Sequence, residues 1–352
     1  MNKIITLVAS DLRESKGGTS RYGNNLVKYN LSKKAFKYKI LTIENLRSIS
    51  FLNRHGFIKD FIYTIPFNLI ASFNSCNILH QIEPILNYNI NFTNKKKLVT
   101  TIHDIIPILN PEFLLIPSYI NNVFINLKRN KINYAIKNSD FILVNSAQTR
   151  KEIIKNFDID KNIIRVTNFG VDNRFLSKIN LKKSKKFVIG YLGALDLRKN
   201  VIFAFKAFSY IEKFNKSTKF YVYGKNYINL HTNQKNIIFK NIADEKMLVN
   251  IYDSFDVFVF PSLYEGFGLP ILEAQSRGLP VIIYKYGKIP KEVRKYCFEA
   301  DSPEHMAQII EDLKENGYNE KLKKKATEYA RSFTWEKCAR ETLEVYKKVL
   351  EK

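Results

Sequence analysis

The chain has 352 residues, 45% of them hydrophobic, which is more than one hydrophobic core usually serves and argues for two domains. No apolar stretch reaches the roughly 20 residues that span a bilayer, since Thr64, Pro66 and Asn68 interrupt the run Phe61–Phe73; a membrane-spanning helix is excluded. The formal net charge of +24 suits phosphate-bearing partners, nucleic acid or anionic lipid, or else reflects a composition rich in Lys, Asn and Ile; both readings stand at this level.

Along the chain, short apolar runs rich in β-branched residues recur, each followed by a polar turn and a helical pattern, which is the signature of a parallel sheet wrapped by helices. The first series is Ile4–Ala9, Tyr38–Ile43, Ile78–His80, Leu98–Ile102, Phe141–Val144 and Ile164–Val166. Ile4–Ala9 is shorter than the ~7–15 residues of a signal-peptide core, and Asp11 follows it without a small-residue cleavage site, so a cytoplasmic protein is expected. Segment 177–186, with Lys178, Lys182, Lys183, Lys185 and Lys186, reads as an exposed linker. A second series then begins: Phe187–Leu192, Lys219–Tyr223, Ile237–Phe239, Val257–Phe260 and Val281–Ile283. Thr334–Lys352 reads as one closing helix, with Cys338, Leu343, Tyr346 and Leu350 on its apolar face. The expected architecture is α/β: two Rossmann-like doubly wound domains over 1–176 and 187–333, with 334–352 as the closing helix. Cys76, Cys297 and Cys338 lie far apart without metal-ligand spacing and read as idle thiols.

The residues that carry chemistry follow strands. Lys16-Gly17-Gly18-Thr19-Ser20-Arg21-Tyr22 succeeds the first strand and its loop; neither GxGxxG nor GxxxxGK[ST] occurs, so dinucleotide and P-loop motifs are absent. His103 and Asp104 stand at the carboxyl end of a buried strand, where α/β folds present side chains to ligands, although a lone histidine there is often structural. After Phe260 comes a glycine-bearing turn, Glu265-Gly266-Phe267-Gly268-Leu269-Pro270, with Pro270 suited to a helix start and Gly278 to the residue past its end. Backbone N–H groups after Gly266 and Gly268 would meet an anion there, and a diphosphate fits. Glu265 and Glu273 bracket the turn, and carboxylates accept from sugar hydroxyls better than they neighbour phosphate. Alone, Glu265 as a helix cap and Glu273 as a solvated helix residue would suffice; the whole string argues against both.

The string Glu265 to Ala274 resembles the E-x7-E motif of retaining glycosyltransferase family 4, which has the GT-B fold with two domains facing a cleft. The resemblance implies that Glu273 holds the donor ribose, Glu265 lies at the donor sugar, and the backbone of Gly266, Phe267, Gly268 and Leu269 meets sugar and diphosphate. Tyr191 to Asn200 is similar to the family's strand-loop segment ending in R-K-N, which implies Lys199, and more weakly Arg198, as diphosphate cations. Many relatives carry Arg where this chain has Ala194. The Gly17–Gly18 loop resembles the one that faces the donor diphosphate, and the His103-Asp104 pair resembles the donor-sugar and acceptor site. His103, Glu265 and Lys199 are thus the catalytic candidates, and Asp104 orients the loop or meets the acceptor. Asn145–Arg150, Asn168–Asp172 and Phe333–Glu336 also resemble family segments, whereas Leu46–Asn94 does so weakly.

The implied reaction transfers a hexose from a nucleotide sugar, UDP-glucose or GDP-mannose, with retention by same-face attack and without a metal or other cofactor. The acceptor would be a glycan or a polyprenyl-phosphate-linked glycan, in glycan biosynthesis or protein glycosylation. The basic surface would suit a peripheral place on the cytoplasmic face of an anionic membrane. Rival readings are another GT-B enzyme, such as a sugar-nucleotide epimerase or a phosphorylase, and a basic nucleic-acid-binding protein. No RRM, KH, zinc-finger or helix-turn-helix signature supports the last, so no specific nucleic acid is expected.

Overall fold

A strand covered by helices on both faces has no solvent side, and its residues are apolar without alternation. Phe141–Val144 shows this directly: Phe141 and Leu143 enter one core cluster, Ile142 and Val144 another. The computed structural model describes residues 3–10, 12, 18–31, 36–42, 75–84, 96–114, 121–178, 186–214, 217–241 and 245–351. The chain divides into two units, Met1–Phe169 with Trp335–Lys352, and Gly170–Thr334.

The first unit contains β1 (Ile4–Ala9), α1 (Gly18–Leu31), β2 (Lys37–Thr42), β3 (Ile78–Gln81), β4 (Lys97–Ile102), α2 (Ile106–Leu109), α3 (Asn121–Asn138), β5 (Phe141–Val144), α4 (Ala147–Asn156) and β6 (Ile164–Val166). Among the described residues its six strands are parallel in the order β2-β1-β3-β4-β5-β6. Ser146 starts α4 by accepting a hydrogen bond from the Thr149 amide, which satisfies one of the open N–H groups of the first turn.

The second unit contains β7 (Val188–Leu192), α5 (Val201–Phe214), β8 (Lys219–Tyr223), β9 (Ile237–Lys240), α6 (Leu248–Asp253), β10 (Val257–Phe260), α7 (Leu269–Ser276), β11 (Val281–Tyr284), α8 (Lys291–Arg294), β12 (Phe298–Ala300), α9 (Pro303–Asn316) and α10 (Glu320–Arg331). Read from the β9 edge its parallel sheet is β9-β8-β7-β10-β11-β12, the 3-2-1-4-5-6 order of a doubly wound fold. α5 and α9 cover one face, setting Ala204, Ala207, Phe208, Ile211, Met306 and Ile310 on Ile189, Tyr191, Val257 and Val259. β12 is absent from the strands expected from sequence: three residues at a sheet edge, with Glu299 exposed between Phe298 and Ala300, carry too little apolar pattern.

The last helix, α11 (Trp335–Glu351), groups with the first unit, where Leu343, Val345, Tyr346 and Val349 pack on Ile5, Leu7, Ile78 and Val99. Residues 170–176, expected with the first domain, group with the second. The reason is local packing. Phe175 is fully buried with its ring 5.7 Å from Tyr252, and its carbonyl accepts a 3.0 Å hydrogen bond from Arg277. The middle of the lysine-rich linker, 179–185, and the run Phe61–Phe73 lie outside the described residues. Among the described residues no helix is long and apolar enough to cross a membrane, and no cluster of His, Cys, Asp or Glu could hold a metal ion.

Candidate active site

In an open α/β sheet, ligands bind outside the carboxyl ends of the strands where the strand order reverses. In the second unit that point lies between β7 and β10. The loops that leave these two strands carry Arg198 and Lys199 on one side and Glu265 to Leu269 on the other. Several backbone hydrogen bonds tie the loops together: Leu263 N–H to Arg198 O at 2.8 Å, Lys288 N–H to Leu263 O at 2.8 Å, and Glu265 N–H to Lys288 O at 2.9 Å. Asp196 accepts from the Lys199 amide at 2.9 Å. The loops are therefore built by the main chain, and their side chains are presented by a fixed frame.

Three charges converge in that frame. Lys199 Nζ is 2.6 Å from Glu265 Oε1, and Arg198 Nη1 is 3.1 Å from Glu265 Oε2 and donates to Tyr264 O at 2.9 Å. Lys199 Nζ also stands 4.7 Å from the centre of the Phe260 ring. Lys199 is 8% exposed and Glu265 7%, so neither is a solvated loop residue. Burial opposes ionisation of Glu265, but Lys199 and then Arg198 outweigh it and hold the carboxyl below its usual range. Burial, helped by Arg198, lowers the Lys199 ammonium against the pull of Glu265. The three side chains together carry one net positive charge in a largely dry setting, a ready counterion for a phosphate.

Gly268 begins α7 at φ 104°, a backbone conformation that favours glycine, and brings no side-chain cap to the first turn. Pro270 stands within the first two helical positions and Gly278 follows the C-cap at φ 74°. Glu273, inside α7, is 1% exposed and accepts a 2.8 Å hydrogen bond from Tyr252 Oη. Gly266, Phe267, Gly268 and Leu269 are all buried. Tyr252 is not marked by the sequence pattern, because an aromatic in a six-residue helix gives no sign of its partner far along the chain.

In the first unit Gly18 opens α1, while Gly17 lies outside the described residues. His103 follows β4, and its Nε2 is 2.7 Å from Ile82 O. A carbonyl only accepts, so Nε2 carries the hydrogen and the other ring nitrogen is the acceptor of the neutral ring. Nδ1 is buried and meets no hydrogen-bond partner among the described residues. Burial lowers the His103 pKa, and Glu83, the Ile82 carbonyl and Asp104 pull it back without cancelling the shift. Tyr22 and Phe169 set their rings edge-on to the imidazole at 5.5 and 5.4 Å. Asp104 accepts from the Ile106 amide at 3.0 Å and so holds the loop that follows His103. Glu83, which the motif reading passed over, accepts from the Ser10 amide at 3.0 Å at the carboxyl ends of β1 and β3, where this sheet reverses its order.

A second layer lies behind His103. His80 bridges Tyr346 (2.5 Å from Nδ1) and Thr101 (2.8 Å from Nε2), and Tyr22 Oη meets Thr101 at 2.9 Å. All four side chains are buried, so α1, β3, β4 and α11 share one polar thread through the core.

Comparison with known proteins completes the picture. Residues 172–333 match the family described as "Glycosyl transferases group 1". The chain is 24% identical over 344 residues to O-antigen chain mannosyltransferase B of Escherichia coli, covering 89% of this chain and 88% of that one. Two solved structures share the fold: sucrose-phosphate synthase from Thermosynechococcus elongatus, with a TM-score of 0.75 at 16% identity over 99% of this chain and 100% of that one, and Anabaena HepE in complex with UDP and glucose, with a TM-score of 0.67 at 16% identity over the same shares.

Proposed function

From a chain that is a GT4-like glycosyltransferase of the GT-B fold, its second unit belonging to the group 1 glycosyltransferases, we propose the finer reading that it transfers a hexose from a nucleotide sugar to a glycan or polyprenyl-phosphate-linked glycan, with retention at the anomeric carbon. The observation that carries this reading is the buried Lys199–Glu265 pair, with half-buried Arg198 beside it, at the point where the strand order reverses. Negative charge grows on the diphosphate as the bond to the anomeric carbon breaks, and cations already fixed in place stabilise it without reorganisation. An arriving diphosphate competes with Glu265 for Lys199 and Arg198. Glu265, relieved of part of that pairing, accepts from hydroxyls of the donor sugar. Glu273 takes the ribose, and the Gly266–Leu269 backbone and the amides of α7 take the sugar and phosphate. His103 accepts a sugar hydroxyl through Nδ1. The leaving phosphate oxygen takes the acceptor proton, so the step needs no separate carboxylate base, and two fixed cations do the work that a metal would otherwise do.

The named mannosyltransferase relative favours mannose as the sugar, for which GDP-mannose is the donor proposed, and HepE with UDP and glucose keeps UDP-glucose in view. The test is slow hydrolysis of each nucleotide sugar by the purified protein, read as released nucleoside diphosphate, because it needs no acceptor. One donor turned over well above the others is expected. No turnover and no saturable binding of any nucleotide sugar would overturn the reading.

A further inference from the structure

We propose that Tyr252 is a positioning residue that fixes the Glu273 carboxylate, and through it sets the preference for a ribonucleoside diphosphate over its 2′-deoxy counterpart. This rests on the reading of Glu273 as the ribose acceptor. Tyr252 is fully buried in α6, its ring held by Phe258 at 5.5 Å, Phe175 at 5.7 Å and Phe255 at 6.3 Å, all edge-on. Nothing apolar in that packing asks for a hydroxyl, yet the phenol reaches Glu273 Oε2 at 2.8 Å.

The chemistry of the partner matters. A phenol donates one hydrogen bond and brings no charge of its own, whereas a lysine or arginine in that place would bring a cation. A carboxylate has about four lone-pair positions, and the phenol occupies one. The ring that carries the donor is itself rigidly packed, so the direction of this hydrogen bond is fixed. The next residue of α6 locks the arrangement: Asp253 takes two hydrogen bonds of 2.7 Å from Arg277, one turn beyond Glu273 at the end of α7. α6 and α7 are thus joined at two successive residues of α6, which fixes the helix that carries Tyr252 against the helix that carries Glu273.

The test measures affinities of UDP, 2′-deoxy-UDP, GDP and 2′-deoxy-GDP for the full chain by calorimetry, in wild type, Tyr252→Phe and Glu273→Gln, with thermal unfolding as a check. For the nucleotide that the wild type binds, the ribo form is expected to win by about tenfold or more, the worth of a hydrogen bond to a charged group. Tyr252→Phe is expected to cut that ratio several-fold by weakening the ribo form alone, with a melting temperature close to wild type; a merely structural tyrosine would weaken both forms equally or neither. A ratio abolished by Glu273→Gln but intact in Tyr252→Phe would overturn the positioning role and leave Glu273 as the ribose acceptor. A ratio intact in Glu273→Gln would overturn both.

Discussion

Lys199 and Glu265 are 66 residues apart, and each looks ordinary in its own loop; the ion pair they form is what makes them a site. If that cluster serves the leaving diphosphate, Lys199→Ala lowers kcat by a factor corresponding to about 2–4 kcal/mol, with a smaller change in nucleotide affinity. Rates measured with and without a chelator check the companion expectation, that turnover survives removal of divalent metal. A different residue governs the response to acid. Burial, followed by the neighbouring His103, brings the His80 pKa from 6.5 down to about 3, so between those values the unfolded chain binds a proton that the folded chain refuses. Stability is therefore full above the unfolded value and falls as the pH drops through that window. His80→Gln should flatten the loss, by about 2–3 kcal/mol between pH 6.5 and 4.5, in urea unfolding of both proteins.

At the scale of elements, α7 is the part on which most depends. Its first turn begins at a glycine that only a positive φ explains, its middle carries Glu273, and its end carries Arg277, which is 2% exposed. Besides Asp253, the guanidinium serves the carbonyls of Phe175 and Ser177 at 3.0 and 2.7 Å, which is how the segment entering the second unit is tied to this helix. Arg277→Ala leaves Asp253 buried without its counterion, and a loss of about 3–5 kcal/mol in urea unfolding is expected. The double change Asp253→Leu with Arg277→Met should recover part of it, because an apolar pair does not demand a counterion. Equal losses in the single and double variants would show that the carbonyl contacts, not the ion pair, hold the segment.

For the molecule as a whole, the +24 charge invites a surface partner. In the first unit Lys96, Lys128, Lys131 and Lys137 are half-buried or exposed, and Val123 on α3 is 66% exposed while Ile125, Ile132 and Ile136 of the same helix are buried. Lys97 pairs with Asp140 at 3.2 Å, Arg129 donates to Pro107 O at 3.0 Å, and Lys95 lies outside the described residues. Each basic residue near an anionic surface adds about 1 kcal/mol, so co-sedimentation with anionic vesicles at low salt, weakened by salt and absent with neutral vesicles, is expected. No binding at low salt, with efficient transfer to a soluble acceptor, would remove the membrane from the account. Eleven of the twelve strands among the described residues, the closing helix and the string Glu265 to Ala274 could be read from the chain itself, because apolar periodicity and turn residues act over a few neighbours. The short strand β12, the boundary at Phe169, the Lys199–Glu265 pair and the Tyr252–Glu273 bond could not. Each depends on which strands lie side by side, and linear spacing carries no record of the sheet order that brings distant loops together.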